Sequence, residues 1–162
     1  MNYSIFFLLG SNQGDSARIL AIARENIKKQ VGEIVAASSL YRSDAWGMEQ
    51  QPDFLNQVVM ISSLHSPEHL LGKILDIEKE MGRIRARKWG PRLIDIDILF
   101  FGHETRDSAD LNIPHPGIPQ RRFTHVPLAE IAAGFIHRRL KKTVAQMLME
   151  CTDPLHVERV KD

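Results

Sequence analysis

Asp95 and Asp97 are the two residues whose types and spacing most plainly suit chemistry. They stand in Gly90-Pro91-Arg92-Leu93-Ile94-Asp95-Ile96-Asp97-Ile98-Leu99, which reads as a β-strand. Side chains two positions apart on a strand share a face, so Ile94, Ile96 and Ile98 point one way and the two carboxylates the other. Carboxylates about 7 Å apart along a strand repel each other unless something cationic lies between them. A hard divalent cation suits that place, and Mg²⁺ is commonly held by one or two carboxylates together with substrate phosphates. The matching charge lies just upstream, where Arg83, Arg85, Arg87, Lys88 and Arg92 occur with no acid among them. Guanidinium groups grip phosphate oxygens in pairs and stay charged. A carboxylate pair beside a cationic loop is how a site for a nucleoside triphosphate would be built. No G-x-x-x-x-G-K-[ST] occurs, which excludes a P-loop as the phosphate cradle.

The surrounding elements must hold that strand and bring a second substrate to it. Tyr3 to Leu9 reads as a strand ending at Gly10. Asn12 or Asp15 caps a helix over Ser16 to Gln30, with Ile19, Ile22, Ala23, Ile27 and Val31 at helical spacing and Gly32 as its stop. Ile34 to Tyr41 reads as a second strand, Ser43 to Asp53 as an irregular loop and Phe54 to Leu64 as a third strand. Ser66 and Pro67 open a helix in the usual way, cap then first position, which runs to Met81 and stops at Gly82. After the basic loop comes the Asp-bearing strand, Leu93 to Phe101. Gly102 to Asn112 reads as a hairpin or excursion, and Pro114, Pro116 and Pro119 make the next stretch rigid. Short helices are expected over Val126 to Ala133 and Thr143 to Glu150. This order predicts an α+β sheet with the first two helices on one face.

At 162 residues the chain suits one domain, 1–162, with one core. A formal net charge of +1 gives no global field that would draw nucleic acid or membrane; the informative charge is local. Cys151 is the only cysteine, which suits a reducing compartment such as the cytoplasm. Ile5 to Leu9 is too short for a signal h-region and lacks a basic flank. No apolar run is long enough to span a bilayer.

An ordered series runs through the sequence: Leu9-Gly10-Ser11-Asn12, Phe54-Leu55-Asn56, Glu78, Gly82-Arg83-Ile84-Arg85, Lys88-Trp89-Gly90-Pro91-Arg92-Leu93-Ile94-Asp95-Ile96-Asp97, Ile113-Pro114-His115-Pro116, Arg121 and Phe123. It resembles the 6-hydroxymethyl-7,8-dihydropterin pyrophosphokinases of folate biosynthesis. The resemblance implies a ferredoxin-like α+β fold, a mostly antiparallel sheet with helices on both faces. It implies attack of the pterin hydroxymethyl oxygen on the β-phosphorus of ATP, with AMP leaving. Two Mg²⁺ ions accompany ATP on Asp95 and Asp97, and Arg83, Arg92 and Asp97 serve catalysis. ATP contacts fall to Glu78, Arg85, Lys88, Trp89, Arg92, Ile98, Asn112, His115 and Arg121. The pterin falls to Ser43, Asp44, Trp46, Phe54, Asn56 and Phe123. The implied enzyme is a cytoplasmic monomer that binds neither nucleic acid nor membrane.

Each residue also has a plainer reading. Phe54 and Phe123 alone would be core, Asn56 structural, Glu78 a solvated helix carboxylate, and Trp89 a core anchor as readily as a lid. Ser43 and Asp44 replace a commoner Thr-Pro, and Gly117, Thr124 and His125 depart from the family pattern, so no function is carried onto those three. A sheet presenting aromatics to RNA is the chief alternative class. The paired aspartates would repel a phosphate backbone without metal, and no aromatic-rich RNA-binding strand is present.

Overall fold

The computed structural model describes residues 3–44, 52–82 and 93–160. The expected Trp46, Arg83, Arg85, Lys88, Trp89 and Arg92 positions lie outside the described residues.

Two helices form where their caps predict. The Asp15 carboxylate accepts the Arg18 N–H at 3.3 Å and opens α1, Ser16–Gln30, which buries Leu20, Ala23 and Ile27. The Ser66 hydroxyl accepts the His69 N–H at 3.2 Å and opens α2, Pro67–Glu80, with Pro67 where a missing N–H costs nothing. Gly82 then turns the chain with φ +83°, a conformation that glycine adopts without strain. Both helices lie on one face of an antiparallel sheet, as expected.

The sheet contains β1 (Tyr3–Ser11), β2 (Glu33–Ala37), β3 (Tyr41–Ser43), β4 (Phe54–Ser63), β5 (Asp95–Phe101) and β10 (Val157–Arg159). Its order is β10-β3-β4-β1-β5, with β2 also on β4. Inward side chains of one face, among them Ile5, Phe7, Leu9, Leu55, Val59, Ile61, Ile94, Ile96 and Ile98, pack with α1 and α2. The other face sets Phe6, Leu8, Val58, Leu99 and Phe100 against α3 (Arg122–Ala132) and α4 (Val144–Glu150). The result is the ferredoxin-like α+β architecture, helices covering both faces.

A bulge in β5 decides what the second face displays. Phe6 stands opposite Phe100, yet Phe7 stands opposite Ile98, so Leu99 is an extra residue. The bulge turns Leu99 and Phe100 to the α3–α4 side together, and Phe101 returns to the α1–α2 core. The Leu99 carbonyl accepts the His115 N–H at 3.0 Å, which ties the proline-rich segment to the Asp-bearing strand.

Three expectations need correction. The single strand expected over Ile34 to Tyr41 is two, because Ser38 breaks it without glycine or proline. The Ser38 hydroxyl accepts the Val58 N–H at 3.0 Å and donates to the Ser39 carbonyl at 2.7 Å, taking over part of the ladder. Helix α3 begins at Arg122, not Val126, and carries Pro127 inside. The stretch read as a hairpin or excursion over Gly102 to Asn112 is a hairpin, β6 (Arg106–Asp107) with β7 (Asn112–Ile113), whereas a second hairpin, β8 (Ile136–His137) with β9 (Lys142–Thr143), and β10 had no counterpart in the sequence pattern. No helix among the described residues is long and apolar enough to cross a membrane.

On α3, His125 is fully buried and neither ring nitrogen has a hydrogen-bond partner; the ring faces the Ile118 backbone short of bonding geometry. Burial holds its pKa below the ordinary 6.5, against the pull of the Ile118 backbone and Asp153 and with Arg122 acting in the same sense as burial. An unfolded chain takes up the proton near pH 6.5 and the folded chain resists it. Stability from this neutral ring is therefore full above that pH and falls as pH drops below it. His125→Leu should raise the melting temperature at pH 7 by removing an unsatisfied buried polar group, worth about 1–3 kcal/mol. It should also flatten the acid loss, of which one such group supplies at most ~1.4 kcal/mol per pH unit. Melting curves at pH 7.5 and 5.5 check this; equal acid losses in parent and variant would contradict it.

Candidate active site

One row of residues runs straight across the second face of the sheet. Asp95 on β5 stands opposite Gly10 on β1, Gly10 opposite Asn56 on β4, and Asn56 opposite Tyr41 on β3. At about 4.8 Å per strand, the Asp95 and Asn56 backbones are about 10 Å apart. Asp97 stands in the neighbouring row, opposite Leu8. The two carboxylates thus share one face, as the i, i+2 spacing requires, and Ile94, Ile96 and Ile98 are buried on the other.

Gly10 keeps the middle of that row low. A β-carbon there would lie 3.2 Å from Asn56 Oδ1 and 3.7 Å from the Phe54 ring. Sequence reasoning valued Leu9-Gly10-Ser11-Asn12 only as a motif; the register supplies its physical content. Asn12, 3% exposed, donates from Nδ2 to the Pro52 carbonyl at 3.1 Å and ties the end of β1 to the segment preceding β4.

Asn56 is 3% exposed and donates from Nδ2 to the Ser43 hydroxyl at 2.7 Å. That bond fixes which way the carboxamide faces: Oδ1 lies toward Gly10 and the aspartates. Ser43 therefore contributes its side chain through Asn56. Asp44, its neighbour, is exposed and accepts the His156 N–H at 3.4 Å. Phe54 shares the Asn56 face and is half-buried, while Phe123 stands in the first turn of α3. Tyr41 donates to Glu130 of α3 at 2.5 Å, and the Ser39 N–H and hydroxyl donate to the same carboxylate, so α3 is pinned to the strand row. Burial and the Glu130 carboxylate push the Tyr41 phenol up to about 12, so it remains a donor.

His115 closes the site from the proline-rich segment. Its Nδ1 accepts the Gly117 N–H at 3.0 Å, so the neutral ring carries its proton on Nε2. Nε2 lies 3.9 Å from Asp97 Oδ1, too long for a hydrogen bond but close enough to share a ligand. Burial and the nearby Arg121 push the imidazole down to about 4, against the pull of Asp95. His115 is thus a neutral donor at physiological pH. The Arg121 guanidinium lies 5.7 Å from the centre of the Phe123 ring.

The remaining candidates lie along β5. Glu78 is 4% exposed and accepts the Ile96 N–H at 2.8 Å, so its carboxylate holds the Asp-bearing strand rather than facing solvent. Ile98 is 6% exposed and sits in the α1–α2 core. Asn112 is exposed on β7 opposite Asp107. The structure thus brings together Asp95, Asp97, His115, Arg121, Phe54, Asn56, Ser43 and Phe123; Glu78 and Ile98 lie on the helix side of β5.

No group of three or more His, Cys, Asp or Glu side chains among the described residues could by itself hold a metal ion. Two carboxylates on one half-exposed face instead suit a hard cation that takes its other oxygens from a phosphate ligand. The donor set therefore fits a hard divalent cation arriving with a phosphate ligand better than a resident metal.

Comparison with known proteins agrees with this geometry. The family model described as 7,8-dihydro-6-hydroxymethylpterin-pyrophosphokinase matches residues 6–133. A 2-amino-4-hydroxy-6-hydroxymethyldihydropteridine pyrophosphokinase of Aquifex aeolicus is 40% identical over 149 residues, covering 92% of each chain. That of Methylorubrum extorquens is 42% identical over 154 residues, 94% of this chain and 96% of the relative. A Synechocystis relative with the same description is 44% identical over 122 residues; the match takes in 74% of this chain but only 62% of that one. Among solved structures, wild-type Plasmodium falciparum HPPK-DHPS with pterin and p-hydroxybenzoate superposes with a TM-score of 0.76 at 17% identity. The overlap covers 93% of this chain and 42% of that longer one, a likeness of fold alone. With its carboxylate pair, its Asn56 row and a match extending over most of its length, the chain belongs to the 7,8-dihydro-6-hydroxymethylpterin-pyrophosphokinase family.

Proposed function

We propose that this chain transfers a diphosphoryl group from ATP to the hydroxymethyl group of 6-hydroxymethyl-7,8-dihydropterin, a step in folate synthesis. The observation that carries the proposal is the Asp95–Gly10–Asn56 row, which sets a carboxylate site and a carboxamide about 10 Å apart over a floor without side chains. An aminopyrimidinone edge mixes donors and acceptors, and Asn56 offers both kinds of group on one amide. Phe54 and Phe123 supply flat apolar area for the bicyclic ring.

At the other end Asp95 and Asp97 would hold two Mg²⁺ ions with the triphosphate. The metal would supply charge neutralisation for phosphoryl-type transfer, which needs positioning more than covalent help. His115 offers Nε2–H to a phosphate oxygen without adding charge, and Arg121 adds a guanidinium. Arg85, Lys88 and Trp89 are assigned to nucleotide binding, and Arg83 and Arg92 to the chemical step. Glu78 and Ile98, from the helix side of β5, and Asn112 on β7 are also assigned to nucleotide binding. On the pterin side Ser43 and Asp44 join Trp46 in flanking the ring. As the hydroxymethyl oxygen bonds to the β-phosphorus, the α–β bridging P–O bond breaks; AMP leaves and the hydroxyl proton is released. The same proposal takes residues 1–162 as one domain acting as a monomer in the cytoplasm, with no nucleic acid or membrane partner.

Incubation with ATP, Mg²⁺ and the reduced hydroxymethylpterin, with separation of the nucleotides afterwards, tests it. AMP formed in step with a pterin diphosphate is the expected result. ADP in place of AMP, or nucleotide turnover indifferent to the pterin, would overturn the reading.

A further inference from the structure

Gly117 stands between the two phosphate-facing side chains of the described site and touches both. Its N–H donates to His115 Nδ1 at 3.0 Å. Its backbone, φ −80° and ψ −11°, lies in the ordinary right-handed region, so the conformation does not call for glycine. The space does. A β-carbon at 117 would come within 2.7 Å of both Cζ and Nε of Arg121 and 3.0 Å of Nη1. The guanidinium therefore lies on the Gly117 backbone where any side chain would have to be, with its Cζ 5.7 Å from the centroid of the Phe123 ring.

We propose that Gly117 is a positioning residue for the phosphate end of the site: its N–H selects the His115 tautomer, and its missing side chain seats the Arg121 guanidinium. The inference rests on the proposed reading of His115 and Arg121 as phosphate ligands. It adds a residue that contacts no substrate and acts on both ligands at once. The seat also rations freedom. An arginine side chain has many rotamers, and packing one against backbone and ring leaves less entropy to lose when an anion binds.

Gly117→Ala is the informative change. The atoms that a methyl would displace are the far end of a flexible side chain, so the fold should hold and the melting temperature should stay within about 2 °C, as for a surface-like substitution. The amide remains, so the ¹⁵N shifts of His115 should keep their Nε2–H pattern. The Arg121 Nε–H resonance, assigned by its loss in Arg121→Ala, should move as the guanidinium leaves its place beside the Phe123 ring. Affinity for Mg²⁺ with a non-hydrolysable ATP analogue should fall about tenfold, the order of one misplaced charge-assisted hydrogen bond. In an Arg121→Ala background the same change should cost no further affinity, because its effect runs through that guanidinium.

An Arg121 resonance that stays in place, or an equal affinity loss in both backgrounds, overturns the proposal. A resonance that moves while Arg121→Ala binds the analogue like the parent chain separates the two failures. The seat is then real, but the phosphate reading of Arg121 is wrong and the proposal falls with it.

Discussion

Asp97→Ala will fold like the parent chain and turn over about a thousandfold more slowly, roughly 4 kcal/mol of added barrier. The carboxylate lies on the half-exposed face of β5 with its side chain 30% exposed, so its removal opens no core cavity. Its loss would take from the proposed triphosphate site one of its two carboxylates. It also takes away the negative charge that faces His115 Nε2 at 3.9 Å. Asp95→Ala should be comparably slow, since it stands one row away on the same face. Single-turnover rates, circular dichroism and the Mg²⁺ dependence of nucleotide-analogue binding give the answer together. A folded Asp97→Ala enzyme within tenfold of the parent rate would remove the metal-ligand assignment.

Asn56→Ala should weaken an unreactive pterin analogue by roughly thirty- to a hundredfold while leaving nucleotide-analogue affinity within about twofold, since a site built to bond polar edges loses most when its own partner is missing. The amide is buried and already pinned by Ser43, so it meets a ligand with its orientation decided. Ser43→Ala should cost less, because the carboxamide stays and loses only its restraint. Arg92→Ala should affect the analogue least of the three, since an uncharged ring gains little from a guanidinium. Calorimetric titrations below the melting transition measure all three. If Arg92→Ala weakens the pterin analogue most, the pterin pocket has been placed at the wrong end of the row.

Legibility in the sequence is a matter of range. Helix starts are local: Asp15 and Ser66 each cap an N–H three residues away, and each lay open to a reading of neighbouring residues. The shared face of Asp95 and Asp97 is equally local. The row through Gly10 and Asn56 depends on β5, β1 and β4 lying side by side, a matter of long-range pairing that no local pattern states. The same holds for the Leu99 bulge, which exists only relative to β1. Ser38 ended a strand through its hydroxyl, where a search for glycine or proline finds nothing. The helix expected from Val126 starts four residues earlier, at Arg122, so Pro127 sits well inside it, where its absent N–H leaves a carbonyl of the first turn without its helical partner. Glu78 read as a candidate ligand from its place in an ordered series. Only the structure places it under the Ile96 N–H.

That Glu78 bond has a meaning beyond holding the carboxylates in place. β5 is the last strand of its sheet, and an edge strand offers unpaired N–H and C=O groups to any other extended chain. On this edge the Ile96 N–H already belongs to Glu78 and the Leu99 carbonyl to the His115 N–H. A strand from another molecule approaching β5 would find these two sites occupied and, at Ile96, the Glu78 carboxyl group in its way. The strand whose face carries the two aspartates thus has two of its outward backbone groups withdrawn from intermolecular sheet extension.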